Sequence, residues 1–409
     1  MTSNQEKKLR VIIAGSGPAG LTAARILREK HDVTIYERTE KAAARGGQGL
    51  STTPNAIKIL DSIGFDRTRA GSVESKGYKT YDKAGKLLHE IDPKLKETFG
   101  VPALTHLRVD VRNELLRLAT APSPELGLRG HPPKIVLEMP VVDLDAEKGV
   151  VTLGDGSKVE ADVVIAADGI HSRLRELILR SAEPKPKKSG LTCFRSSLMA
   201  EQARAALGGR LPDWWTEHYH MFSAGLDGTD RFILLYPTRD LESMNMSCIF
   251  QTREEKKETT ESWNADGDIN EMLDVYHDFD ENVTKMFRVV NEIKMWELQD
   301  LDPLPTWQCG RAILIGDAAH AMTPLQGQGA NMSIEDGEAF RLLMQPGTTA
   351  DDVPAILARI DELRRPRVNQ VVKNTREASF GLTAEERFAR LMENADYNGI
   401  LDYATKHPR

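Results

Sequence analysis

Three stretches place glycines or an acid just past an apolar run, where backbone N–H groups or a carboxylate can meet a ligand. The first is Gly15-Ser16-Gly17-Pro18-Ala19-Gly20, followed by Glu37-Arg38. The second is Asp168-Gly169, and the third is Gly316-Asp317 with the turn that carries Pro324, Gly327, Gly329, Ala330 and Asn331. Glycines let the backbone approach a ligand without a Cβ in the way, and a helix that starts behind such a turn favours negative charge. An acid at a strand end can accept a hydrogen bond from a ribose hydroxyl. The chemistry these residues suit is the holding of a phosphorylated, ribose-bearing ligand.

The elements needed to position them are legible from periodicity. Residues 9–14 read as a strand, 19–29 as a helix with Leu21, Ala24 and Leu27 on one side, and 32–37 (DVTIYE) as a second strand ending in Glu37. Strand, G-x-G-x-x-G, helix, strand and acid in this order form the dinucleotide fingerprint in its required context, which by itself does not separate FAD from NAD. Residues 162–167 (DVVIAA) form a buried strand running into Asp168, with helical spacing over 170–179. Residues 312–315 (AILI) do the same before Gly316-Asp317, and a helix follows over 331–343. A further glycine-rich loop, 45–50, contains Gly49 and enters a helix over 55–63, and Arg108 heads an amphipathic helix with Leu115, Leu118 and Ala119 repeating inward. Between residues 134 and 164 short strands alternate with turns, and Gly154-Asp155-Gly156 signals a hairpin.

Between Pro184 and Pro305 the texture changes. Residues 191–198, 231–238 and 243–251 are β-forming, consistent with an antiparallel sheet, and 269–293 is largely helical. The fold class is therefore α/β: a Rossmann-type FAD/NAD(P)-binding fold with an inserted antiparallel-sheet substrate domain and a C-terminal helical segment. The divisions fall at 1–184 and 303–345 for the nucleotide domain, 185–302 for the insert and 346–409 for the last helices. The chain's 409 residues are enough for two cores, with 40% hydrophobic and 28% charged residues. The net charge of −7 with dispersed basic residues excludes a nucleic-acid footprint. The basic run Lys185-Pro186-Lys187-Lys188 reads as a solvated linker. Three widely spaced cysteines and ten histidines without ligand spacing give neither a disulfide framework nor a metal site. No apolar run has membrane-spanning length and no signal segment is evident, so a soluble cytoplasmic protein, monomer or homodimer, is expected.

GSGPAG with Glu37-Arg38, GQGLSTTPNA, LRVDVRNEL, VVIAADGIHSRLR and PLPTWQCGRAILIGDAAHAMTPLQGQGANMSIEDG occur in this order over residues 9–336. Together they resemble the single-component FAD-dependent aromatic hydroxylases, the para-hydroxybenzoate and salicylate hydroxylase group of flavoprotein monooxygenases, and most closely its fungal salicylate-hydroxylase-like members. By that resemblance Gly15, Gly17, Ala19 and Gly20 belong to the loop that carries the FAD pyrophosphate, with Glu37 and Arg38 at the adenosine ribose. Gly49 and Arg108 approach the cofactor, Asp168-Gly169 serves FAD and a passing nicotinamide, and Gly316-Asp317 holds the ribityl chain. Pro324, Gly327, Gly329, Ala330 and Asn331 line the isoalloxazine.

The reaction implied uses NAD(P)H as a transient co-substrate, since no second fingerprint exists, and O₂. It places one oxygen on an electron-rich ring through a flavin C4a-hydroperoxide, which needs a dry pocket that the apolar sheet face is expected to supply. No metal is required. A phenolic substrate calls for a proton acceptor and a cation, and the candidates are Tyr236, Arg195 and His220. A packed tyrosine and a structural ion-pair arginine are the plainer alternatives for the first two. His320, in GDAAH, fits a supporting place behind the cofactor. Other functions open to the sequence are a flavin-dependent epoxidase or reductase, a colourless binding protein on the same fold and, from the fingerprint alone, an NAD dehydrogenase.

Overall fold

The structure is a computed structural model. It describes residues 7–40, 49–182, 184–212, 214–215, 221–229, 231–239, 241–253, 266–290, 292–377 and 382–408. Six strands lie in the order Gln308–Cys309, Ala312–Leu314, Val163–Ala166, Arg10–Ala14, Asp32–Tyr36 and Lys134–Val136. All neighbours run parallel except the first pair. Such strands are covered on both faces, which is why they read as unbroken apolar runs. Helices Pro18–Leu27, Arg108–Thr120 and Gly329–Glu338 pack together on one side, and Leu174–Leu179 and Val353–Glu377 touch the strands at the other end of the sheet.

Register decides where the three ligand-facing stretches meet. Ala14 pairs with Ala166, and Ala166 with Leu314. Gly15, Asp168 and Asp317 therefore leave the carboxyl ends of three adjacent strands, and Glu37 follows the next one, Asp32–Tyr36. In open α/β sheets that edge is where ligands bind.

The second sheet has seven strands in the order Lys294–Asp300, Lys187–Met199, Ser243–Gln251, Phe232–Thr238, Met221–Leu226, Gly77–Asp82 and Leu87–Ile91. The last two come from well before the insert and carried no signal used above. Lys187 and Lys188 are not linker. They open a 13-residue strand, pair with Asp300 and Gln299, and meet Asp302 and Glu297 as ion pairs. Their charge is matched across the sheet, which a reading of local composition does not detect.

Strand alternation gives this sheet two different faces. Phe194, Leu198, Leu235, Met244, Met246, Cys248 and Phe250 point to a core closed by the helices Ala200–Ala206, Ile269–Val275 and Glu281–Phe287. The opposite face carries Arg195, Ser197, Asn245, Ser247, Tyr236 and Tyr78. One face is thus buried under helices, and the other, turned toward the parallel sheet, mixes these polar and aromatic residues with the apolar Leu191, Cys193 and Ile249.

Candidate functional site

Gly15 has φ +107°, and a Cβ there would stand 2.3 Å from the Ala167 carbonyl oxygen, so only glycine lets these strand ends run side by side. Gly17 differs. Its φ is −76°, and no part of the described protein lies within 4 Å of a Cβ built on it. Packing among the described residues does not demand glycine at this position, and the space in front of it is open to a ligand. Gly17 also caps helix Pro18–Leu27, which has no side-chain cap and no acid in its first turn, leaving N–H groups for an anion. Ala19 is buried, and it abuts Gly316. Gly20 lies inside the same helix and packs against Gly15.

Glu37 closes this loop from the side. Its Oε2 accepts from Ser16 N–H (3.0 Å) and Oγ (2.7 Å), and its Oε1 from Thr39 N–H (3.1 Å) and Oγ1 (3.0 Å). Burial alone pushes its pKa up, but these bonds hold it below the usual glutamate value. Arg38 is exposed beside it. Arg112, which sequence reasoning missed, donates to Ser16 O (3.1 Å) and Oγ (2.7 Å). It stands four residues after Arg108, on the same side of helix Arg108–Thr120, and that spacing was the available signal.

Asp317 is exposed while Ala318, Ala319 and His320 behind it are buried, and its carboxylate makes no hydrogen bond or ion pair among the described residues. It follows Gly316, at φ +61° and ψ −146°, a corner that L side chains rarely adopt. Arg108 has an open surface yet is closely surrounded by protein. Desolvation lowers its guanidinium pKa, Asp317 opposes that shift and Arg195 adds to it. Arg108 thus lies within the fields of both Asp317, at the strand end, and Arg195, on the seven-stranded sheet.

Asp168 and Asn331 are occupied by the protein itself. The Asp168 carboxylate accepts from Ser172 Oγ (2.6 Å), Arg173 N–H (2.9 Å) and Leu174 N–H (3.3 Å), anchoring the start of helix Leu174–Leu179. Gly169 stands beside it with open space around it. Arg175, also missed, ties this turn to the Asp317 helix by donating to Ile170 O (3.0 Å) and Ala318 O (3.1 Å). Asn331 accepts from Thr53 N–H (2.8 Å) and donates to Ser51 O (3.1 Å) and Gly327 O (2.8 Å), stapling the Pro324–Gln326 turn to strand Gly49–Thr52. Gly329 and Ala330 open helix Gly329–Glu338, whose N-terminus has no side-chain cap. His320 is buried, 2.6 Å from Asp336.

The polar face of the seven-stranded sheet meets this edge. Gly49 N–H donates to Asn245 Oδ1 (2.6 Å), and a Cβ on Gly49 would stand 2.3 Å from the Tyr236 hydroxyl. Leu325, in the Pro324–Gln326 turn, packs on Leu191, Cys193, Ile249 and Leu298 of the sheet. Arg195 stacks over Trp296 (4.7 Å), and its buried Nε has no hydrogen-bond partner among the described residues. Tyr236 continues through Phe222 (4.6 Å) to Tyr78, which stacks on Phe222 at 5.2 Å. Neither tyrosine hydroxyl is hydrogen-bonded among the described residues. Burial raises both pKa values, that of Tyr78 to about 12. His220 lies outside the described residues.

The FAD binding domain family matches residues 8–375. The chain is 30% identical over 387 residues to a 3-amino-4-hydroxybenzoate 2-monooxygenase of Streptomyces platensis, covering 92% of this chain and 89% of that one. It is 29% identical over 389 residues to hispidin-3-hydroxylase of Neonothopanus nambi, with the same coverage. A salicylate hydroxylase solved as a substrate complex superposes with a TM-score of 0.74 at 27% identity, covering 94% of this chain and 93% of that one. The chain belongs to the FAD binding domain family. It is an FAD-dependent monooxygenase with the α/β fold expected from its sequence.

Proposed function

We propose that this FAD-dependent monooxygenase hydroxylates a phenolic aromatic substrate, with NAD(P)H as a transient reductant and O₂ as the oxygen donor. The observation that carries the proposal is the sheet face beside Gly49. It presents the Nε of Arg195 and the hydroxyls of Tyr78 and Tyr236, none hydrogen-bonded among the described residues, and a row of stacked rings. A planar ring packs against such a row, and a phenolate or carboxylate finds its counter-ion in Arg195.

Bound FAD, once reduced, supplies the activation of O₂ and the delivery of one oxygen atom to the ring. The protein's part is to hold and polarise. Gly17 would leave room for the pyrophosphate, and Glu37, positioned by Ser16 and Thr39, would hold the adenosine ribose. Asp317 would accept from the ribityl hydroxyls, and the uncapped N-terminus of helix Gly329–Glu338 would offer positive potential to the reduced cofactor. Arg195 favours the phenolate form of the substrate and so raises electron density on its ring. Burial holds the Tyr236 phenol protonated, with Arg195 only partly opposing the shift, so Tyr236 orients the substrate oxygen by a hydrogen bond instead of removing its proton. The unpaired Cys193, Cys248 and Cys309 are in keeping with a cytoplasmic enzyme.

The test is NADPH oxidation in air across a panel of phenols, phenolic acids and their methyl ethers, with released peroxide measured alongside. A phenol that is a substrate accelerates oxidation and lowers peroxide per NADPH, and its methyl ether does neither. Equal responses to a phenol and its ether would contradict the proposal.

A further inference from the structure

Behind the Gly316–Asp317 corner lies a set of buried charges. Asp336 Oδ2 accepts from Gly316 N–H (2.9 Å) and from His320 Nε2 (2.6 Å), and Asp336 Oδ1 accepts from Arg364 Nε (3.0 Å). Its neighbour Glu335 accepts from Arg364 Nη1, from Arg367 Nε (2.8 Å) and Nη2 (2.9 Å), and from Asn55 Nδ2 (2.7 Å). The side chains of Glu335, Asp336 and Arg364 are wholly buried, and Tyr397 lies beneath the two guanidinium groups at 5.4 and 4.8 Å.

Removing these charges from water is costly. Burial drives Arg364 down and the carboxylates up in pKa, and neighbouring charges and hydrogen bonds reverse these shifts: Arg367 and Arg364 for Glu335, His320 and Arg364 for Asp336, and Glu335 and Asp336 for Arg364. A buried ion network adds little stability over apolar packing of the same volume. What it does here is geometric. Gly316 N–H belongs to the peptide before Gly316, in a backbone corner at φ +61°, and Asp336 accepts that N–H. Arg364 bridges the two carboxylates, with His320 also on Asp336 and Arg367 also on Glu335. Without Arg364, Asp336 Oδ1 keeps no partner among the described residues, and the carboxylate is left to turn on its bonds to His320 and Gly316.

We propose that Arg364, on the C-terminal helix Val353–Glu377, is a positioning residue for the cofactor: through Asp336 it fixes the Gly316 corner and hence the direction of the Asp317 carboxylate. This rests on Asp317 facing FAD. It gives the C-terminal helix a part in cofactor binding as well as in covering the sheet.

Arg364→Met leaves a buried carboxylate without its partner and endangers folding itself, so the informative change is Arg364→Lys, which keeps the charge and loses the planar fork. Arg367→Lys is the control, because Arg367 reaches Glu335 and Asn394 O but not Asp336. Asp317→Asn tests the premise. For each, the FAD Kd is measured by flavin fluorescence titration, the visible flavin spectrum is recorded, and apo and FAD-bound proteins are melted in parallel. Arg364→Lys is expected to raise the FAD Kd by about tenfold or more, the loss that follows removal of an outer-shell partner. It should also shift the flavin bands and narrow the gap between apo and bound melting temperatures. Arg367→Lys should lower both melting temperatures together and leave Kd near wild type. If Arg364→Lys behaves like Arg367→Lys while Asp317→Asn still weakens FAD, Arg364 is structural only and this inference fails alone. If Asp317→Asn leaves FAD binding unchanged, the premise and the inference fall together.

Discussion

The two walls of the cleft are finished differently. At the end of the parallel sheet most polar groups are satisfied within the protein: Glu37 by Ser16 and Thr39, Asp168 by the start of its own helix, Asn331 by Thr53, Ser51 and Gly327. Among the described acids there, Asp317 stands open. On the sheet face opposite, Arg195 Nε, Tyr78 and Tyr236 are left without hydrogen bonds among the described residues. A wall whose hydrogen bonds are closed internally presents fixed backbone geometry, which suits a resident cofactor. A wall with open hydrogen-bonding groups is completed by each incoming molecule, which suits a substrate that must leave again.

This difference can be tested wall by wall. The largest effect is expected from Arg195→Met, which should cut hydroxylation by about 10²- to 10³-fold, as loss of a charge-stabilising donor does, with FAD retained at wild-type affinity. Loss of colour from that variant would show that Arg195 belongs to the cofactor wall. Asp317→Ala should have the opposite signature: a folded protein whose FAD Kd rises through a cost of about 1.5–3 kcal/mol, the worth of a hydrogen bond to a charged group. Full colour and activity after dialysis would remove Asp317 from the cofactor wall.

The third effect concerns acid. His106 is buried between Thr52 Oγ1 (2.8 Å) and Ser72 Oγ (3.0 Å), and desolvation pushes its pKa down to about 3. The folded protein excludes a proton that the unfolded chain binds below about pH 6.5. Its contribution is therefore fully present above that pH and is lost as pH falls toward 3, by up to about 1.4 kcal/mol per pH unit. Thermal melts between pH 7 and 5 should fall more steeply for wild type than for His106→Gln, and parallel slopes would count against this role. The smallest effect is that of Tyr236→Phe. Losing one neutral hydrogen bond costs about 0.5–1.5 kcal/mol, and the readout is lower product per NADPH with FAD binding unchanged. Unchanged coupling would leave Tyr236 as a packed ring.

The cofactor wall was largely legible in the sequence because its signals are local. A strand, a glycine turn and a helix follow one another in the chain, and the strand ends at Gly15, Gly17 and Asp317 are set by their own neighbourhoods. What sequence did not reveal depends on contacts distant along the chain. Gly49 is small because Tyr236 and Asn245 press on it from nearly two hundred residues away. Tyr78 joins the polar face through strand Gly77–Asp82, which pairs in parallel with Met221–Leu226, a partner no periodicity announces. Lys187 and Lys188 look solvated until Asp302 and Glu297 are brought beside them. The side each sheet face turns to the cofactor follows from where the covering helices dock, and the alternation Ser243, Met244, Asn245, Met246 fits either direction.

The most direct test of the central claim is the fate of labelled oxygen. With NADPH, ¹⁸O₂ and a phenolic substrate that couples, mass spectrometry should find one ¹⁸O atom in the hydroxylated product, with none entering from H₂¹⁸O in the mirror experiment. Product oxygen drawn from water, or NADPH consumed across the phenolic panel with peroxide as the sole oxygen-derived product, would contradict the account.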